Sequence, residues 1–178
     1  MALLMANTSN VKEMKNGRPE SVLLKAGDES QATILPNCAI VSLGDVVTAQ
    51  GDHIREAKAQ AATNAVGKFV VVAPEINAQQ YRMIDNDIAK FALEVGEVYT
   101  AYELQLRDRL EFSQDYFATL PTAGQFVNID KDGKLTAAAS GGCLKVISVR
   151  DQRMPMAVKP NGAMMPASIK MVKVEVVK

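Results

Sequence analysis

Between Val98 and Phe112 two sets of residues alternate along the chain. Val98, Thr100, Tyr102, Leu104, Leu106, Leu110 and Phe112 fall on one side, and Tyr99, Ala101, Glu103, Gln105, Arg107, Arg109 and Glu111 on the other. A period of two is the signature of a half-buried strand, with the first, more apolar set facing inward. One strand of that length is unusual, and Asp108 places a charge on the apolar side. A bulge or tight turn at Arg107, Asp108 and Arg109 is therefore expected to split the run into two paired strands.

Shorter runs of the same kind fill much of the chain. Ser21–Ala26, Ala32–Leu35 and Ala39–Leu43 read as strands separated by Gly-Asp and Pro-Asn turns, and the continuous apolar run Lys68–Pro74 (KFVVVAP) reads as a central strand. Phe126–Ile129 and Lys134–Ala137 flank Asp130-Lys131-Asp132-Gly133, a hairpin signal, and Cys143–Val149 is a further strand. Val172, Val174 and Val176 alternate with Lys173 and Glu175 in a terminal strand that closes the protein's own sheet or extends a neighbour's.

Two segments change period. In His53–Val66, Ile54, Ala57, Ala61 and Ala65 sit at helical spacing between Asp52 as N-cap and Gly67 as C′ residue, which predicts a helix. A second short helix, capped by Asp85 or Asn86, would turn Ile88, Phe91, Ala92 and Val95 inward and end at Gly96. Residues 1–20, with Lys12, Lys15 and Arg18 close to Gly17 and Pro19, predict an extended arm that frays or orders on a neighbouring subunit. Residues 150–168 hold four of the nine Met and three of the seven Pro, as a hairpin or loop over the core or as an adaptable contact surface. The sum is a β-rich α+β protein: a small antiparallel β-barrel or sandwich from about Gly96 onward, one or two short helices before it, and an extended N-terminal arm. Its expected organisation is an arm (1–20), a mixed α/β segment (21–95) and an antiparallel β domain (96–178), the last two alternatively forming one continuous domain, 21–178.

Composition narrows the partners. A chain of 178 residues can bury a real core without a metal or disulfide staple. Its 20 Lys plus Arg balance 20 Asp plus Glu, so no net field steers it onto duplex nucleic acid or an anionic membrane. Aromatics make up 5% and Trp is missing. That predicts a core of Val, Leu, Ile, Ala and Met, and removes the stacking platform of single-strand binders. Cys38 and Cys143 lie in apolar settings without CxxC spacing and read as buried free thiols, a long-range disulfide or a reactive thiol being the alternatives. MALLMANTSN has neither a basic start nor the apolar length of a signal peptide. No run approaches the roughly 18 apolar residues of a membrane-spanning helix. The expectation is a soluble protein kept in a reducing cytoplasm.

Candidate chemistry is sparse. With His53 as the one histidine, multi-histidine metal sites are impossible, and the cysteines offer no zinc spacing; His53 beside Asp52 reads as a surface or capping residue. No G-x-S-x-G or G-x-G-x-x-G occurs, and Gly67-Lys68 is followed by Phe69 where a phosphate loop needs Ser or Thr. The Asp130–Gly133 stretch lacks the third oxygen ligand and closing Glu of a calcium loop. Asp85 and Asp87 fit a pair of carboxylates, but helix-start capping accounts for them equally well, and acid-base work would need a pocket. No catalytic residue, cofactor site or metal site is assigned, and the expectation is a non-enzymatic binding or structural protein.

RDRLEFSQDYF followed by the hairpin FVNIDKDGKLTAAASGGCLKVISV, behind a polar N-terminal arm and Gly-Asp turns, resembles the small accessory head proteins of tailed bacteriophages, the decoration or cement proteins. The likeness spans roughly Val98–Val149 plus the terminal strand and contains no fingerprint residue. It implies a protein without catalysis on the capsid surface of a virion, present in the host cytoplasm during assembly. Its partner would be the major capsid protein, bound at many copies by a homo-oligomer such as a trimer, with no direct contact to nucleic acid or membrane. The candidate contact residues are Lys12, Lys15 and Arg18 in the arm, Arg107 and Arg109 in the turn, and Met154, Met156, Met164 and Met165 in the Met-rich stretch. A head-tail or tail component and a cellular small-ligand-binding β-barrel are the alternatives.

Overall fold

The computed structural model describes residues 18–25, 34–49, 53–73, 92–131, 133–158 and 164–178. The strands are β1 (Pro19–Leu24), β2 (Ile34–Pro36), β3 (Ile40–Val46), β4 (Ile54–Ala59), β5 (Phe69–Val72), β6 (Ala92–Glu94), β7 (Val98–Glu103), β8 (Arg109–Ser113), β9 (Phe126–Ile129), β10 (Leu135–Ala138), β11 (Leu144–Val158) and β12 (Met164–Val176). A single 3-10 turn, Gln114–Tyr116, follows β8. The protein is β-rich, as its alternation predicts, and the described residues contain no α-helix.

Five strands close a barrel in the order β1-β4-β3-β5-β7, with β1 parallel to β4 and antiparallel to β7. So small a barrel leaves little interior. It is filled by Val22, Leu24, Val41, Val71 and by Ala57, Ala59 and Ala101, all buried. The expected 53–66 helix is overturned here, since its first half is β4 with Ala57 and Ala59 pointing inward at a period of two. Alanine has weak strand preference, so its local signal reads as helix; the narrow lumen selects it for size. Gly67 does take a positive φ, +77°, but in a turn entering β5 and not at a helix end. Of the second expected helix, 74–91 lies outside the described residues, and Ala92–Glu94 is strand β6, paired with β2.

The second sheet has the order β10-β9-β11-β12-β8. The predicted β9–β10 hairpin is present, with Ile129 opposite Leu135 and Gly133 at φ +69°. Past β8 the chain bends through the 3-10 turn, and Phe117 forms a bridge to Leu135 of β10, bringing the two ends of the sheet together. The terminal strand β12 pairs within the chain, with β11 and β8.

The alternating stretch divides as expected but pairs differently. A turn at Gln105–Asp108 breaks it, closed by Asp108, whose carboxylate accepts the Gln105 N–H at 2.8 Å. This accounts for a charge on the apolar side, since buried Asp108 caps its own turn. The two halves do not pair with each other: β7 belongs to the barrel and β8 to the sheet. The closed barrel therefore lies before Leu104 and not from Gly96 onward.

The inward side of β7 is also corrected. Ala101 and Tyr99 face the barrel interior, Tyr102 and Leu104 face the sheet, and Val98 and Leu106 are exposed, Leu106 at 58%. From Ala101 onward the strand is thus covered on both sides, which a one-sided reading misses.

Between barrel and sheet lies one shared core. Cys38, Ile40, Ala65, Val70 and Leu104 come to it from the barrel side; Leu110, Phe112, Tyr116, Val127, Leu144, Val172 and Val174 come from the sheet side. Its largest fully buried side chains are Tyr116 and Phe112, their ring centroids 4.9 Å apart, set among the Val, Leu, Ile and Ala side chains that the composition predicts. The buried Tyr116 hydroxyl donates to the Asn37 carbonyl. The Asn37 side chain accepts the N–H groups of Cys38 (3.0 Å) and Ala73 (3.1 Å) and donates to the Ala73 carbonyl at 3.1 Å. Sheet and barrel are thus joined by a satisfied polar node inside apolar packing.

Tyr116→Phe keeps the ring and leaves the buried Asn37 carbonyl without its donor, so it is expected to cost about 1–3 kcal/mol of unfolding free energy. Urea denaturation checks this, and a neutral effect would mean that the node does not couple the two sheets.

Candidate functional site

Strands β11 and β12 are long because they continue past the sheet that contains them. β9 pairs with β11 only at Leu144 and Lys145, and β8 with β12 only from Met171 to Glu175. From Asp151 to Val158, and from Met164 to Lys170, the two strands pair with each other and with no other described strand. The result is a two-stranded arm about 25 Å long. All four methionines singled out in the sequence lie on it, in the register Met154↔Ala167, Ala157↔Met165 and Val158↔Met164, with Met156 inside the shift between the first two pairs.

A charged pair sits where the arm leaves the sheet. Arg150, opposite Met171, reaches across β12 to Glu111 of β8 and meets both carboxylate oxygens, Nε at 2.6 Å and Nη2 at 2.9 Å. Glu111 is 3% exposed, while the Arg150 side chain is half exposed. The hydrogen-bonded Glu111 carboxylate raises the Arg150 pKa above its ordinary value. A bidentate pair of this kind fixes direction as well as distance, so it sets the angle at which β11 departs. Gln152 accepts a further bond from Arg150 at 3.2 Å, and Asp151 pairs with Lys170 at 3.1 Å on the next rung.

The arginines lie elsewhere. Arg109 pairs with Glu175 at 3.0 Å, near the opposite end of β12 from the arm. Arg107 is exposed in the preceding turn at φ +73°, its N–H bonded to the Val176 carbonyl at 2.9 Å. Arg18 binds Glu20 at 2.9 Å, and its carbonyl accepts the Glu103 N–H, next to the same barrel–sheet junction. Lys12 and Lys15, with the rest of the expected N-terminal arm before Arg18, are outside the described residues. The candidate contacts therefore form two groups, Arg18, Arg107 and Arg109 at the junction and the methionine positions on the arm. The sequence reading missed Glu111 and Arg150, because their meeting depends on a strand order that only the folded sheet establishes.

Both cysteines are buried and neither is in a disulfide. Burial pushes the Cys143 thiol up from its ordinary pKa, away from nucleophilic use. Among the described residues no group of His, Cys, Asp and Glu could hold a metal, and no helix is long and apolar enough to cross a membrane. Comparison with protein-family models, curated proteins and solved structures finds no match.

Arg150→Met removes the bidentate guanidinium from a buried carboxylate and is expected to cost about 1–3 kcal/mol, below the range for a fully buried pair because solvent reaches the arginine. Glu111→Gln is expected to cost about 1 kcal/mol. The double substitution should cost less than the sum, since the two changes remove one interaction. Chemical denaturation of the four proteins reads the cycle, and strict additivity would contradict the pairing.

Proposed function

We propose that this chain is a non-enzymatic structural protein that binds and stabilises the outer surface of a bacteriophage capsid, with the major capsid protein as its partner. The observation that carries the reading is the β11–β12 arm. Its strands leave a body whose other long strands are enclosed, in a closed barrel and in a sheet whose ends meet at Phe117 and Leu135. A projection of this kind suits a protein that grips a neighbour. On a lattice, many such contacts act together, so a modest affinity for each suffices.

Two further features support the reading. The barrel interior is occupied by its own side chains, which disfavours an enclosed small ligand. The likeness to accessory head proteins rests on the sequence of the β9–β10 hairpin and the strand that follows it, and is the ground for naming a capsid as the partner. Attachment in this account adds buried area to a capsid lattice, and binding to the assembled state alone stabilises that state. Homo-oligomers on the lattice would raise the effect by adding contacts per particle.

The test is binding of the purified chain to phage heads assembled without it. Replacing residues 154–167 by a two-residue Asn-Gly turn keeps the paired Arg153 and Ser168 as a closed hairpin. This arm-less chain is expected to bind heads at least about ten-fold more weakly, a loss of about 1.4 kcal/mol, at unchanged thermal stability. Failure of the intact chain to bind heads would remove the proposal.

A further inference from the structure

The turn between β7 and β8 carries residues that suit neither a turn nor a surface. The Asp108 N–H donates to the Gln105 carbonyl at 3.2 Å, which makes Leu106 and Arg107 its two central residues. Arg107 has φ +73°, a left-handed conformation that costs any residue with a Cβ and favours Gly or Asn at this place in a turn. Among the described residues five of the seven positive-φ positions are glycine; Cys38 is the buried exception and Arg107 the exposed one. The backbone bond that Arg107 makes, its N–H to the Val176 carbonyl, a glycine would make as well. Beside it Leu106 is the most exposed large hydrophobic side chain among the described residues. A strained arginine and a solvated leucine both weigh against folding stability, so their adjacency points to a contact outside the chain.

The surroundings indicate what such a contact is made of. Val66, 38% exposed, lies in a neighbouring turn tied to the same strand ends. The Gly67 N–H donates to the Leu104 carbonyl at 3.1 Å, and the Val66 N–H to the Lys178 carbonyl at 3.3 Å. Charges around these two apolar residues are sorted by depth. Arg18, whose carbonyl accepts the Glu103 N–H at the end of β7, has a side chain 74% exposed, against 17% for its partner Glu20. Arg109 is 49% exposed, against 25% for its partner Glu175. Asp108 is buried in the turn itself, and Glu103 is half-buried. The carboxylates are turned inward and three arginines outward, although the charges of the whole chain balance. Guanidinium groups bind carboxylates in a directed, bidentate way and are enriched at protein interfaces. A nucleic-acid backbone would meet the arginines but leave Leu106 in water.

We infer that the Leu106–Arg107 turn, with Arg18 and Arg109 around it, is a second contact surface that docks on an acidic protein surface. Docking buries Leu106 and sets the arginines against carboxylates of the partner. The surface lies at the opposite end of β12 from the arm, so the two contacts are separate. The inference rests on the capsid-binding reading for the identity of that partner.

The experiment measures affinity of the full chain and its point variants for heads assembled without it, together with their thermal midpoints. Leu106→Ser and Arg107→Glu are expected to weaken binding about ten-fold or more. Arg107→Gly is expected to weaken it about three-fold or more while raising the midpoint by about 2–4 °C, a combination that misfolding cannot produce. Lys131→Glu, at an exposed position in the β9–β10 turn, should leave binding unchanged. Heads bound equally well by the intact chain, Leu106→Ser and Arg107→Glu would overturn the surface while the capsid reading stands. Equal loss in Lys131→Glu would overturn its localisation, and a lowered midpoint in Arg107→Gly the argument from strain. Retention of a short DNA duplex that Arg107→Glu abolishes would overturn the class of partner. An intact chain that does not bind heads removes the capsid reading, and this surface's partner with it.

Discussion

The structure depends on the apolar core that barrel and sheet share. β7 is the wall between its two compartments: Ala101 fills the barrel on one side, and Leu104, where the strand ends, is fully buried against the sheet on the other. Neither unit has a self-sufficient interior. The barrel lumen is lined largely by alanine and valine, and much of the apolar surface on its outside is covered only by the sheet. Burial is the dominant favourable contribution to folding, so the two units stand or fall together. The Tyr116–Asn37 bond gives that docking a direction which apolar packing alone would not.

Seen this way, the arm is an extension of the stabilising core rather than an appendage on a loop. β12 contributes Val172, Val174 and Val176 to the centre of the molecule and continues outward without interruption. The Glu111–Arg150 pair sits at the transition, where the ribbon loses its flanking strands. For the contact role proposed above, an element continuous with a core strand would lose less entropy on binding than a free loop.

Much of this was legible in the residues, and the failures have identifiable causes. Strands with branched side chains and Gly-Asp or Asp-Gly turns, such as Phe126–Ile129 with Leu135–Ala138, are local and were readable. β4 was not, because Ala57 and Ala59 were selected by lumen size rather than by strand preference. The side of β7 was misjudged because periodicity reports one buried face and this strand has two. The methionine-rich stretch reads in sequence as a hairpin or loop over the core or as a contact surface, and its projection from the body comes from where β8 and β9 stop pairing, which no local pattern encodes. Glu111 and Arg150 are not singled out by the sequence for the same reason.

The central claim is that barrel and sheet form one cooperative unit through their shared core. The two buried thiols report on its halves, Cys38 next to the barrel strand β3 and Cys143 at the start of β11. Pulsed alkylation across a urea gradient, read by mass spectrometry, follows both in one sample. The account predicts that Cys38 and Cys143 become reactive at the same urea concentration and with the same dependence on it. Exposure of Cys143 in urea that leaves Cys38 protected, or the reverse, would show two independent units and contradict it.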